Sequence, residues 1–462
     1  MSFPDTTRIT ARTLACACAV ALAPAALAAE YTFSPSVDLR FSADDNLQVA
    51  VEERALEAFD LRLAPALNVT YRGDRLQIIS NTRLSFTRFD DVDFDTDDQF
   101  MSLSFLYGGE TSLLQLDLDA QRQSQRTSEV LDSGFIGGVE RVAGYTVRPS
   151  YVRALNDLYR LTIGASWSGQ QYDLTLFDDY TNYGFDVSLS RQLNERQSID
   201  LTLFGSEFET EQRLANLNSP GVCDLPSADA AVFCLSSFNS TETTTVGAQL
   251  GYRHVLSERT EIGISIGTRQ VEARDVNTEV VGCLLSTQFL DTLPFLPPQF
   301  QIFALNNQLD MADANGNCGL TGFDLETAND SSGLITRAFL ENTGEKIKWS
   351  ASFERSISPV GLGFLIETDR IESRFEYRFS PRTRFTTRAT IQQAAAVASE
   401  SNFARDFYSI NSTLTWRMGE HWTLSPGIRW RRQDASFLTG TAQSFSGYVE
   451  LGYRPRGTKV SR

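Results

Sequence analysis

The chain has 462 residues and a net charge of -17, and its mean hydropathy is -0.22. Beyond the first 28 residues, no apolar run approaches the roughly 20 residues that a membrane-spanning helix needs. The acidic balance and the lack of a basic tract argue against a nucleic-acid partner.

The first 28 residues have the composition of a secretory signal peptide. Arg8 and Arg12 provide a basic start, an apolar core runs from Leu14 to Leu27, and Ala26-Leu27-Ala28 fits a small-residue cleavage site. A short membrane anchor is the alternative, but the length and the position before the first strand favour a signal peptide. We therefore expect the exported domain to comprise residues 29–462.

Most of the remaining chain places apolar side chains on alternate residues. A period of two puts alternate residues on opposite faces of a β-strand. The pattern predicts eighteen strands, at 31–41, 57–71, 75–89, 97–107, 111–123, 142–154, 158–169, 181–193, 197–208, 242–254, 259–271, 333–341, 345–356, 368–379, 383–394, 405–417, 421–432 and 444–453. Most of them are long enough to cross the hydrocarbon core of a membrane at a tilt.

The predicted connections alternate between short turns and long loops. Arg72-Gly73-Asp74 and Pro381-Arg382 carry tight-turn residues, whereas 209–241, 272–332 and 357–367 are long. Outer-membrane barrels place short turns in the periplasm and long loops outside, so both chain ends are expected in the periplasm. Because an open sheet cannot span lipid, we predict an all-β fold, a transmembrane antiparallel up-and-down β-barrel of about 18 strands.

An aromatic residue ends the apolar face of many predicted strands, beside a short turn. The nine residues are Tyr71, Tyr107, Tyr159, Tyr252, Phe379, Phe385, Trp416, Trp422 and Tyr453. Such a row forms an aromatic girdle where strands meet the membrane interface. A large soluble β-sandwich or propeller would explain the alternation, but not the signal peptide, the aromatic row and the turn lengths together.

Four cysteines remain after the signal peptide, and all of them lie in the two longest loops. An even number of cysteines in an exported protein indicates disulfides. Three pairings are possible, and the local one, Cys223 with Cys234 and Cys283 with Cys318, is favoured. Zinc is a poorer reading because no histidine lies near them in the sequence.

The second of these loops contains an apolar, proline-bearing stretch from Leu284 to Leu305. An exposed apolar loop is costly in water. It either folds over or into the barrel mouth, or packs against neighbouring loops.

The sequence contains no recognisable catalytic or metal-binding constellation. Its two histidines, His254 and His421, fall at strand ends beside short turns, without an acid or nucleophile in a suitable context. Six aspartates crowd 90–98, where a solvated loop tip or bridging of lipopolysaccharide through divalent cations is favoured over a dedicated site. We therefore expect a non-enzyme without a cofactor.

The inner face of the last seven predicted strands is strongly basic. Twelve lysines and arginines point inward there, against four glutamates. Arginine forks suit carboxylate and phosphate groups. The proposed anion-facing track consists of Arg370, Arg374, Arg378, Arg384 and Arg388. An ordinary hydrated lumen, stiffened by Arg–Glu pairs, is the alternative.

Several short motifs resemble those of an outer-membrane β-barrel porin family associated with exopolysaccharide secretion. They are Ser42-Ala43-Asp44-Asp45-Asn46, Leu63-Ala64-Pro65-Ala66-Leu67, Arg355-Ser356-Ile357-Ser358-Pro359-Val360-Gly361 and Glu367-Thr368-Asp369-Arg370. The resemblance spans the mature chain. It implies an outer-membrane exit for polysaccharide beside a periplasmic polysaccharide export protein.

The expected function is therefore a passive conduit for exported polysaccharide. An uptake porin for small anions or oligosaccharides and a structural surface barrel with a plugged lumen are the alternatives. An integral outer-membrane location implies contacts with lipid, lipopolysaccharide and the barrel-insertion machinery. An acidic glycan is the expected cargo of the conduit.

Overall fold

The alternating residues form long antiparallel strands in a computed structural model of the chain. The structure describes residues 29–91, 94–124, 141–173, 177–211, 235–281, 321–360, 364–397, 403–436, 438 and 440–461. Within these ranges the barrel strands are β1 (Glu30–Asp44), β2 (Ala58–Arg72), β3 (Leu76–Phe89), β4 (Thr96–Gly108), β5 (Ser112–Ser124), β6 (Arg141–Ala154), β7 (Tyr159–Tyr172), β8 (Asp179–Asn194), β9 (Gln197–Glu211), β10 (Leu235–Ser257), β11 (Thr260–Val281), β12 (Thr321–Thr343), β13 (Ile347–Val360), β14 (Phe364–Ser380), β15 (Thr383–Val397), β16 (Ala404–Arg417), β17 (Trp422–Ala435) and β18 (Ala442–Tyr453).

Each strand pairs with its sequence neighbours, and β18 pairs with β1 to close the sheet. The closing register runs from Val37 opposite Tyr453 to Asp44 opposite Ser446. A short strand after the barrel, β19 (Thr458–Ser461), covers the start of β1. The seam therefore has backbone partners along nearly the whole of β1, as a barrel in lipid requires. The predicted 18-stranded antiparallel barrel is confirmed.

The outer face of the barrel is apolar and accessible. Large side chains such as Phe41, Leu63, Leu203 and Ile266 are exposed although they belong to long regular strands. All nine predicted girdle aromatics lie on the outward register of their strands near short turns. Exposed apolar surface of this extent matches lipid rather than water. The fold is thus that of an outer-membrane β-barrel.

Several strands extend beyond their predicted ends. β10 begins at Leu235, β11 runs to Val281 and β12 begins at Thr321, so the strands take up the ends of the predicted loops 209–241 and 272–332. Polar and threonine-rich sequence there conceals the period of two. Residues 1–28, all four mature-chain cysteines and the stretch 284–305 lie outside the described residues. No helix in the described ranges is long and apolar enough to cross a membrane.

β13 parts from β12 at the long-loop end of the barrel, where the sequence predicted a loop at 357–367. Pairing between β12 and β13 stops at Thr336 opposite Arg355, whereas β11 and β12 stay paired up to Thr321. β13 and β14 stay paired with each other up to Val360 opposite Phe364. β13 is therefore unpaired with β12 beyond Arg355, whereas β14 stays paired with β15 up to Leu365 opposite Val397.

The exposure of the outward register of β14 shows where the hairpin tip goes. Ile371 is 47% exposed on the lipid side, but Leu365 on the same register is 5% exposed. Leu365 and Ile357 join a buried cluster with Phe208 of β9 and Val271 of β11, both of which point into the barrel. The end of the hairpin thus turns into the lumen and packs against inward side chains of β9 and β11.

Candidate functional site in the lumen

The predicted basic track lies on adjacent strands of one wall. Arg374 is opposite Arg388, and Arg378 is opposite Arg384, in the β14–β15 register. Arg370 precedes them on the same face of β14. All five arginines share the register of Glu372 and Glu376, opposite to that of the exposed Ile371 and Phe375. The structure therefore brings the track residues together on the inner face.

The two glutamates each lie between arginines of the track. Glu372 accepts from Arg370 at 3.0 Å and pairs with Arg388 at 3.2 Å. Glu376 lies 3.9 Å from both Arg378 and Arg384. Five arginines against two glutamates leave a net positive wall, but four of the five already have an acidic neighbour. The track therefore combines a wall-stiffening ladder with a basic surface.

At the end farthest from the short turn, the track opens into a cavity that lies in the lumen and has a volume of about 400 Å³. Its lining comes from both sides of the barrel seam. Hydroxyl, amide and aromatic side chains line it together with six arginines. The arginines are Arg40, Arg62, Arg370, Arg388, Arg429 and Arg431. Asp44 and Asp60 are the acidic residues among the lining residues. The cavity therefore brings six arginine side chains to one surface of the lumen.

Four of these arginines, Arg40, Arg62, Arg429 and Arg431, lie outside the predicted track. Arg429 and Arg40 lie on β17 and β1, and Arg62 lies on β2. They meet Arg370 and Arg388 because closure between β18 and β1 brings the two ends of the chain together. The inward register of β1 and β2, combined with closure of the barrel, could have indicated that these arginines lie beside the track.

Arg40 is held in place by an aromatic ring. Its guanidinium carbon lies 3.5 Å from the ring centroid of Tyr448, a cation–π contact. The Tyr448 hydroxyl is fixed by Asn411 and Thr413 across the lumen wall. Gly427 makes room, since a Cβ there would lie 2.3 Å from the Tyr448 ring. A planar cation held over a ring keeps its edge free for hydrogen bonds.

The charges in the cavity are only partly balanced. Arg62 pairs with Glu450 at 2.9 Å, and Arg431 pairs with Asp44 at 2.7 Å. No described carboxylate lies within ion-pair distance of Arg40 or Arg429. The cavity therefore holds at least two cations that have no acidic partner in the described part of the chain.

The opposite wall carries acidic residues. Asp117 and Asp119 of β5, Asp186 of β8 and Asp200 of β9 share the inward register. Arg148 of β6 and Arg269 of β11 face the lumen on the same side and offset these carboxylates. The excess of basic side chains therefore lies on the β14–β1 side, which favours anions there.

The first loop covers the mouth next to the cavity. Asn46 accepts from the Ala50 N–H at 3.0 Å and donates to the Gln443 carbonyl at 2.9 Å. Gln433 donates to the Val49 carbonyl, and Val49 adopts a φ of 51° that is rare for a β-branched residue. Leu47 lines the cavity. This loop narrows the mouth and is anchored to the wall by the Gln433 side chain of β17 and the Gln443 backbone carbonyl of β18.

The remaining sequence candidates have structural partners. His254 Nδ1 lies 3.0 Å from Gln197 Nε2, and His421 Nδ1 lies 3.0 Å from the Arg454 carbonyl. Asp95 and Asp98 accept backbone N–H groups of Phe89 and Ser124. No cluster of three or more potential metal ligands occurs among the described residues.

No protein-family model and no curated protein matches the chain. Among solved structures, OccK2 (OpdF) of Pseudomonas aeruginosa is similar at 8% identity and a TM-score of 0.42, covering 92% of this chain and 98% of that one. Its complex with glucuronate gives 9% identity and 0.43 over the same shares. The ferric yersiniabactin receptor FyuA of Yersinia pestis gives 10% identity and 0.46, covering 92% of this chain and 71% of that one. These likenesses are too distant to add to the argument from the strands and the lumen.

Proposed function

We propose that the protein is an outer-membrane diffusion channel for small anionic solutes. The observation that carries the proposal is the cavity with six arginines, two of which have no acidic partner among the described residues. Guanidinium groups recognise carboxylates and phosphates in a fork geometry. Hydroxyl groups of Ser42, Thr390 and Ser409 beside them suit a polyhydroxylated anion.

The track below the cavity gives such a solute a route. Arg388 and Arg370 line the cavity, and Arg378 and Arg384 lie at the short-turn end of the same strands. The contacts are solvated and shared with Glu372 and Glu376, so each is worth only about 0–1 kcal/mol. Weak exchangeable contacts attract an anion without trapping it. We infer that the short-turn end and both termini face the periplasm.

The export of an acidic polysaccharide, implied by the family resemblance, is the second candidate. The basic track along one wall favours it, since a polymer can contact many arginines in succession. The inward β13–β14 hairpin favours small solutes instead, because it takes up space that a wide conduit would need. A deletion strain discriminates between them: loss of small-anion uptake supports the first, and loss of surface polysaccharide supports the second.

The test is ion selectivity in planar bilayers across a potassium chloride gradient. Arg40→Gln/Arg429→Gln removes the two cavity charges that have no acidic partner in the described ranges. The reversal potential of this variant is expected to show a weaker preference for anions than wild type. Arg148→Gln is the matched control, because Arg148 faces inward on β6, opposite Asp117, and does not line the cavity. Equal reversal potentials for wild type and the double variant would show that the cavity does not determine ion selectivity.

A further inference from the structure

A second cavity, with a volume of about 400 Å³, lies on the inner face of β1 to β5. On β1 it is lined by Ser36, four residues nearer the short-turn end than Arg40 of the arginine-lined cavity. On β2 it is lined by Ala66, four residues nearer that end than Arg62. Four residues of a strand span about 13 Å. A solute that leaves the arginine-lined cavity toward the short turns therefore meets the second cavity on the same two strands.

An aromatic ring faces the lumen in the second cavity. Phe100 of β4 is opposite Arg83 of β3, and Arg83 is opposite Ala66, so all three share the inward register. The guanidinium carbon of Arg83 lies 4.4 Å from the Phe100 ring centroid, a cation–π contact. The ring is only partly buried. It therefore offers apolar surface to a solute that has an apolar face of its own, such as the C–H face of a sugar ring.

Amide and hydroxyl side chains lie beside this ring. Asn68 of β2 donates to Asn81 of β3, and Asn81 donates to Ser102 Oγ of β4 at 3.3 Å. All three residues line the second cavity, as does Gln121 of β5, which is opposite Phe100. Because each amide carries two donor hydrogens and an oxygen with two lone pairs, this chain of hydrogen bonds leaves capacity for a ligand.

The charge of the second cavity differs from that of the arginine-lined cavity. Arg83 and Asp119 are the charged residues of its lining, and neither has an ion-pair partner in the described ranges. A carboxylate ligand only accepts hydrogen bonds and is repelled by Asp119, whereas a hydroxyl group both donates and accepts. A balanced set of donors and acceptors without net charge therefore suits hydroxyl groups better than an anionic group.

We propose that the second cavity is a sugar-binding site, in which a sugar ring lies against Phe100 and its hydroxyl groups bind Arg83, Asn81 and Asp119. A cavity of about 400 Å³ lies within the usual range of small-molecule sites and has room for a monosaccharide. One further step rests on the proposed function. A solute that uses both cavities carries an anionic group and several hydroxyl groups, so sugar acids are the preferred class of small anion.

Block of the potassium chloride current by glucose in planar bilayers tests the sugar-binding site. The wild-type current is expected to fall along a saturating curve as the glucose concentration rises. Phe100→Leu removes the ring, and it is expected to raise the half-blocking concentration about fivefold, the change that about 1 kcal/mol produces. Phe100→Tyr keeps the ring and is expected to block as wild type does. Phe105→Leu is the matched control, because Phe105 lies on the outward face of the same strand, opposite Ile78.

Heat-modifiable gel mobility confirms that each variant is folded. A current that falls only in proportion to glucose, as viscosity alone produces, would overturn the sugar-binding site. Equal half-blocking concentrations in wild type and Phe100→Leu would overturn it too, as would an equal loss in Phe105→Leu. Glucose is uncharged, so a cation-selective pore that glucose blocks would contradict the proposed function and leave this site standing. An anion-selective pore without block would do the reverse.

A comparison of galacturonate with glucose tests the step to sugar acids. Galacturonate is expected to block the wild-type current at a lower concentration than glucose. Arg40→Gln/Arg429→Gln is expected to remove that difference and to leave the block by glucose unchanged, because both arginines line the other cavity. Equal block of the wild type by the two sugars would contradict the preference for sugar acids.

Discussion

A buried ion pair at the barrel seam is expected to contribute to the free energy of unfolding. Arg431 of β17 and Asp44 of β1 lie 2.7 Å apart, and their side chains are 11% and 10% exposed. Arg431 and Asp44 also share Ser444, whose hydroxyl accepts from the arginine and donates to the aspartate. Breaking such a pair from one side leaves an uncompensated buried charge, which costs about 3–5 kcal/mol.

Arg431→Met is therefore expected to lower the free energy of unfolding by about 3–5 kcal/mol, measured by urea titration in lipid vesicles. Asp44→Asn/Arg431→Met removes both charges and is expected to lose much less than the single variant. Arg456→Met is the control, since its pair with Glu420 is largely exposed and is worth about 0–1 kcal/mol. A single variant as stable as the double variant would refute the reasoning from burial.

Three other predictions concern the track, the loops and the amino terminus. Replacing one track arginine by Gln is expected to change ion selectivity little. Replacing four of the five by Gln, at Arg370, Arg374, Arg378 and Arg384, is expected to lower anion selectivity in planar bilayers. An unchanged reversal potential in the quadruple variant would show that the ladder only supports the wall. Non-reducing peptide mapping is expected to find Cys223 linked to Cys234 and Cys283 linked to Cys318, each link contributing roughly 2–4 kcal/mol, and four free thiols would contradict the pairing. Mass spectrometry of outer-membrane protein is expected to find a mature chain that starts at Ala29, and an intact amino terminus would favour the anchor.

Much of the barrel follows from the period of two in the sequence. The alternation gave the strand number and the inward and outward faces, and the turn residues gave the short connections. The girdle aromatics lie where that register placed them, as Trp422 and Tyr453 show by packing side by side at 4.7 Å. These features are local, because each depends on residues within one strand or one turn.

The inward turn of the hairpin end was not predicted, since alternation is the same whether the end of a strand stays in the wall or turns into the lumen. The sequence did contain a signal. Arg355, Glu367 and Asp369 fall on the lipid-facing register, where charge is costly. Their mutual pairs and the bond from Arg269 explain why they are there. The stretch 284–305, for which a lid over the barrel mouth was one of two readings, lies outside the described residues.

The cavity also required long-range information. Arg40 and Arg370 are separated by most of the chain, and only closure of β18 on β1 brings them to one surface. The sequence placed both on inward faces but could not set the stagger between the first and last strands. The depth at which each arginine lies in the barrel depends on that stagger.

The wild-type reversal potential tests the central claim most directly. Purified protein in planar bilayers, across a potassium chloride gradient at neutral pH, is expected to prefer chloride although the chain carries a net charge of -17. Such a preference would show that the arginines of the lumen, and not the acidic surface, control permeation. A cation-selective pore would contradict the account.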